Sequence, residues 1–334
     1  MRATVFTDPA LARHAGRFVW LSIDTENEKN VGFLEKYPWE AVPTFQVLDP
    51  KTGDVVYRWL GAVDAAALAK RFDEAELALK EARPDGAPKL PSSADSEVLA
   101  LAMAGKNDEC LAAASARWDT LPPGGEKAGV AALGLDCALS LKSEAAAIFE
   151  ARVKEATAYP GLLDDDRSSL FGALVDARDR QQDEAGGKAA ALAWLDYLDA
   201  QAKSAGSVEA RAALDGHRVS AAMRAGDPAR MIPALEASVR DLPEDYNPSA
   251  RLAMLLREAG RLDEALAASD RALSKAYGPR KLNLFDARAT ILEKKGDAEG
   301  AKAVLRQALA YAQTLPEAQR SKGMIGRIEK RLGG

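Results

Sequence analysis

The chain has 334 residues, of which 47% are hydrophobic and only 6% aromatic, and its formal net charge is −5. That length accommodates two or three domains, and the acidic balance excludes a nucleic-acid binder built on a basic face or a protein held to an anionic membrane. No apolar stretch approaches the ~20 residues that a membrane-spanning helix needs. The two cysteines, Cys110 and Cys137, are too few for a disulfide-built scaffold. His14 and His217 lie far from both in sequence, so no metal-ligand spacing is present, and neither a metal nor a cofactor is expected.

In chain order, Asp8 precedes Pro9 as a capping residue ahead of a first-turn proline, which predicts a short helix. Residues 17–24, dense in β-branched and aromatic side chains, read as a strand. Val31, Phe33, Leu34 and Tyr37 then give an amphipathic helix over residues 28–37. Residues 44–48 form a strand, 49–54 a turn and 55–60 the hairpin partner. Gly61 breaks that strand, and Asp64 caps a helix running to about Ala82.

Helix, strand, helix, Val42-Pro43-Thr44, strand, hairpin, strand, helix is an order that resembles the thioredoxin fold from within its first helix onward. The resemblance covers residues 1–82. It implies a cis proline at Pro43, where base rates alone give only ~5–6% cis. It also implies that Val42, Pro43 and Thr44 hold an extended substrate peptide by β-addition. The family's Cys-x-x-Cys turn and the central strand before it are missing, so no catalytic residue can be assigned within the chain. Unpaired buried backbone groups cost about 1–3 kcal/mol each, and a gap in mid-sheet would leave two rows of them. The resemblance therefore places the missing strand and the catalytic cysteines upstream of Met1. The alternative is a degenerate domain repaired by a neighbouring element.

Pro84, Pro88 and Pro91, with Gly86, Ser92 and Ser93, mark residues 83–94 as a Pro-rich linker. Residues 95–334 read as helical throughout. Gly260 and Gly296 occupy equivalent places 36 positions apart, each followed by alanines (Ala265 and Ala272, Ala301 and Ala308), and Gly226 precedes Gly260 by 34. Gly105, with Leu121 and Pro122 after it, has the same shape. These units resemble the tetratricopeptide repeat, whose period is ~34 residues. Residues 95–160 give two looser helix pairs, and residues 161–206 a divergent pair whose Phe171, Trp194 and Tyr197 read as packing. Residues 316–332 read as a polar closing helix. Cys110 sits where alanine or methionine stands elsewhere, which makes it a small buried residue; a disulfide with Cys137 is the alternative. Both histidines read as structural or surface residues.

The expected architecture is α/β plus all-α: an incomplete thioredoxin-like domain followed by a tetratricopeptide-type helical solenoid. What the resemblance implies is a thiol–disulfide oxidoreductase whose cysteines lie upstream of Met1, a thiolate attacking the substrate disulfide and a second cysteine resolving it. The repeats would then select protein or peptide clients. The alternative is a non-catalytic protein-interaction adaptor. The sequence as it stands carries no targeting pattern, the expectation for a cytoplasmic protein. A targeting segment upstream of Met1 would send the same domains to the periplasm.

Overall fold

The computed structural model describes residues 5–39, 42–81 and 94–333. By internal contacts the chain divides into two units. One comprises Met1–Val19 with Trp39–Lys203, the other Trp20–Pro38 with Ser204–Gly334.

In the first unit Asp8 accepts a hydrogen bond from the Ala10 amide at 2.8 Å and starts a 3-10 helix, Pro9–His14. Val31–Lys36, in the second unit, is helix α1. Strands β1 (Thr44–Leu48) and β2 (Val55–Leu60) form an antiparallel hairpin with Thr44 opposite Leu60, and Gly53, at φ 75°, supplies its left-handed turn residue. Asp64 accepts from the Ala67 amide at 2.7 Å and caps α2 (Ala65–Lys80). Leu68, Phe72 and Ala75 of α2 pack on Tyr57 and Trp59 of β2, and the Phe45 ring stacks on Trp59 at 4.6 Å between centroids. Arg17 reaches Asp73 and Glu76 of α2 at 2.8 and 2.9 Å.

Residues 17–24 form no strand, contrary to the sequence reading. Phe18 packs against Phe72, but Val19 is 92% exposed, and Trp20 and Leu21 are exposed as well. β-propensity measures the fit of a side chain to neighbouring strands, and among the described residues the sheet holds β1 and β2 alone. The Pro-rich stretch lies outside the described residues apart from Ala94, where α3 begins.

The rest of the first unit is helical: α3 (Ala94–Met103), α4 (Asn107–Trp118), α5 (Gly125–Ser140), α6 (Ala145–Ala156), α7 (Asp164–Arg180) and α8 (Glu184–Ser204, its last residue in the second unit). Gly105, at φ 70°, turns the chain between α3 and α4. α5 is central, packing on α3, α4, α6 and α7. It can do so because its inner face is small: Ala128, Ala131, Gly134 and Ala138 are all buried. Phe171 of α7 lies 5.9 Å from Tyr197 of α8, ring to ring, and Arg167 donates to the Tyr197 hydroxyl at 2.9 Å. These aromatics are packing residues.

The second unit continues with α9 (Val208–Ala213), α10 (Asp215–Ala225), α11 (Ile232–Asp241), α12 (Tyr246–Glu258), α13 (Leu262–Lys275), α14 (Arg280–Lys294), α15 (Ala298–Thr314) and α16 (Lys322–Gly333). Gly226, Gly260 and Gly296 have φ of 76, 74 and 86°, which is why glycine recurs at the repeat turns. Ala265, Ala268 and Ala272 of α13 and Ala301 and Ala308 of α15 are buried at the contacts with α12 and α14. The closing helix starts later than the sequence suggests, at Lys322. Its Ile328 is buried in a cluster with Ala312 and Leu315, and Arg331 pairs with Asp286 and, at 2.7 Å, with Glu293 of α14. Pairing of successive helices, α12 with α13 and α14 with α15, makes the C-terminal part a helical repeat.

Gly134 tests the small-residue packing. A Cβ there would fall inside the van der Waals envelope of the buried Phe149 ring. Gly134→Val is expected to lower unfolding stability by about 1–3 kcal/mol through overpacking, more than helix propensity returns. Urea denaturation checks it, and an unchanged midpoint would show that α5 and α6 do not approach this closely.

Candidate functional site

Three places hold chemistry: the proline loop, the buried polar and sulfur groups among the helices, and a cluster on the C-terminal repeats.

The Val42–Pro43 peptide is cis, as the thioredoxin resemblance leads one to expect. Val42 is 65% exposed, the Pro43 carbonyl accepts from the Gly61 amide at 2.9 Å, and Thr44 opens β1. The loop is therefore fixed at its hairpin end and open to solvent. Glu40 and Ala41, just before it, lie outside the described residues.

Cys110 of α4 and Cys137 of α5 are joined in a disulfide, with Cα atoms 6.3 Å apart and both residues 0% exposed. The reading of Cys110 as merely a small buried residue is corrected to that extent. The residue is buried, but the helix turn that brings α4 against α5 also brings the two sulfurs together. Neither sulfur can serve as a nucleophile while paired and buried. His14 is held between Arg13 and Arg17, at 3.0 and 2.7 Å, with its ring 5.5 Å from Phe72, and His217 lies on α10. No group of three or more His, Cys, Asp or Glu side chains that could hold a metal occurs among the described residues.

Asp215, at the start of α10, is fully buried. It accepts from Ser238 of α11 at 2.6 Å and from Arg218 at 3.3 Å. Burial raises its carboxyl above the ordinary value, and Ser238 with the charges of Arg218, Arg251 and Arg211 only partly offsets this.

The third place is where sequence reasoning saw nothing. Residues 24–30 form a compact turn: Asp24 accepts from the Glu26 amide at 2.9 Å through its side chain and from Asn30 Nδ2 at 2.9 Å through its carbonyl. This turn sits on the repeats. The Glu26 carboxylate pairs with Arg280, the first residue of α14, and hydrogen-bonds the hydroxyl of Tyr246, the first residue of α12. Tyr277 donates to Asp24 Oδ2 at 2.6 Å. Gln319 Nε2 donates to the carbonyls of Glu26 and Thr25 at 3.2 and 3.4 Å. Tyr311 of α15 donates to the Gly278 carbonyl at 3.3 Å. Gly278, at φ 62°, admits the turn: a Cβ there would lie 2.5 Å from the Glu26 carbonyl oxygen. Burial lifts the Glu26 carboxyl above its ordinary value against the pull of Arg280, and the bond to Asp24 pushes the Tyr277 phenol up to about 12. Asp24 and Tyr277 are 253 positions apart, so no local pattern links them. The faint signal available was that Tyr246 and Arg280, 34 positions apart, both begin a helix of the repeat.

No protein-family model matches the chain, and no curated protein sequence matches it. Solved structures similar to it include YrrB, described as a TPR protein with an unusual peptide-binding site, at 16% identity over 60% of this chain and 91% of that one, with a TM-score of 0.32. BtubC from P. vanneervenii is 14% identical over 73% and 94%, with a TM-score of 0.41. PilF of Pseudomonas aeruginosa is 12% identical over 71% and 95%, with a TM-score of 0.37.

Two outcomes follow from the buried groups. The disulfide closes a loop with a separation of 27 residues. Chain-entropy reasoning gives such a loop about 3–4 kcal/mol, so dithiothreitol or Cys110→Ser should lower the melting temperature; identical melts with and without reductant would exclude the crosslink. For Asp215 the folded carboxyl titrates above its unfolded value, near 3.8. Its contribution to stability is thus fully present below that pH and is lost as pH rises through the folded value. Asp215→Asn should therefore gain on the wild type in urea denaturation as pH is raised above 3.8. A pH-independent difference would contradict the burial argument.

Proposed function

We propose that this protein is a protein-binding helical-repeat scaffold that does no chemistry with the residues of this chain. The observation that carries the reading is the peptide already seated on the C-terminal repeats. Side chains from α12, α14 and the loops around them grip both the carboxylates and the backbone of residues 24–26. Backbone carbonyls are recognised as well as side chains, which is what a surface that receives polypeptide needs. No helix among the described residues is long and apolar enough to cross a membrane.

A second reading is favoured by one observation, the hairpin-then-helix order of β1, β2 and α2 with the Pro43 loop at the surface. In it, Val42, Pro43 and Thr44 hold a substrate chain for a Cys-x-x-Cys turn lying upstream of Met1, and the protein is natively a thiol–disulfide oxidoreductase of thioredoxin-like descent. An in-frame strand and Cys-x-x-Cys encoded ahead of Met1 would support this second reading over the scaffold.

For the chain of residues 1–334, insulin turbidity with dithiothreitol is expected to show no turnover above the reductant blank. The same chain on beads is expected to retain a discrete set of proteins from an extract of its own cells. Turnover that disappears in Cys110→Ser, or an eluate matching blank beads, would overturn the scaffold.

A further inference from the structure

We propose that the C-terminal repeats carry a binding site for acidic peptides of the form Asp-x-Glu, and that the chain's own Asp24–Thr25–Glu26 fills this site as a displaceable internal ligand. The inference rests on the scaffold reading and specifies its partner and its regulation.

The site has separate places for two carboxylates one residue apart. Arg280 and the Tyr246 hydroxyl take the glutamate, and Tyr277 takes the aspartate. Gln319 reads the backbone between them through its amide N–H group. Gly278 leaves room for the glutamate carbonyl and no more. Spacing, charge and backbone direction are therefore all specified, and apolar or basic segments would leave Arg280 without its counter-charge and the Tyr277 hydroxyl without its carboxylate acceptor.

Two features mark the occupant as exchangeable. The Arg280 side chain is 55% exposed and Tyr277 is also exposed, so the site can be approached without unfolding the repeats. In addition, Gln319 Oε1 is buried without a hydrogen-bond partner. Residues 24–26 satisfy the donor end of that amide and leave its acceptor end empty. A partner peptide presenting an N–H there would make one bond more than the internal segment does. The internal segment has the advantage of being tethered, which sets its effective concentration above that of a free peptide of equal fit. Partners enter only when they are locally abundant or bind better.

The test uses the chain of residues 1–334 and a fluorescein-labelled synthetic peptide with the sequence of residues 20–38. The double variant Asp24→Asn/Glu26→Gln weakens the internal ligand and leaves the site intact. It should bind the peptide at least tenfold more tightly than wild type by anisotropy. Adding Arg280→Ala should reverse the gain, and a peptide carrying Asn and Gln at the two acidic positions should not bind. Equal affinity for wild type and double variant, or equal binding of the uncharged peptide, overturns the proposal. Should the double variant lose its helical circular dichroism, wild type decides: excess unlabelled peptide should speed hydrogen exchange of α1, and unchanged exchange overturns the site. Absence of peptide binding with protein capture retained removes this site and leaves the scaffold. Peptide binding with capture lost upholds the site and removes the scaffold.

Discussion

Close backbone approach between antiparallel helices is the constraint on which the rest of this structure depends. A chain with so few aromatics cannot fill wide gaps between helices, so the helices must come near enough for small side chains to exclude water. Ala265, Ala268 and Ala272 do this against α12, Ala301 and Ala308 against α14, and the inner face of α5 against four helices at once. The left-handed glycines at positions 226, 260 and 296 bring each helix back along its predecessor at that short distance. The same closeness puts Cys110 within disulfide reach of Cys137 and buries Asp215 against Ser238.

Local signals were legible in the sequence, and non-local ones were not. The repeat glycines, the alanines that follow them, the Asp64 cap and the hairpin turn are each set by a few neighbouring residues, and each was placed correctly. Residues 17–24 failed because a strand is a relation between segments. Their side chains suit a pleated surface, yet the described sheet offers them no place. The divergent pair α7 and α8 is legible from helical spacing, and its aromatics do pack; that Phe171 and Tyr197 pack on each other is visible only in the structure.

The candidate sites divide the same way. Pro43 could be singled out because its surroundings are consecutive in sequence, from Val42 to the strand that follows. The cluster around Glu26 could not, because its members come from α12, the loop before α14, α14 itself, α15 and residues past α15. One of its two acidic residues also serves a local role: Asp24 shapes its own turn by accepting from the Glu26 amide, so its presence is explained without any distant partner. A residue that satisfies a local rule hides a long-range one.

The second unit is discontinuous along the chain, since Trp20–Pro38 is separated from Ser204–Gly334 by helices that belong elsewhere. That order has a consequence during synthesis. Asp24 leaves the ribosome 253 residues before Tyr277, and at ~5–20 residues per second this is a delay of roughly 10–50 s. Helices of the first unit form within far less time, on the order of microseconds once their residues are free. The early segment must wait as a nascent tail, with Trp20, Leu21 and Phe33 available to chaperones, until the last repeats emerge. Vectorial translation thus makes the seating of residues 20–38 among the final events in the maturation of this polypeptide.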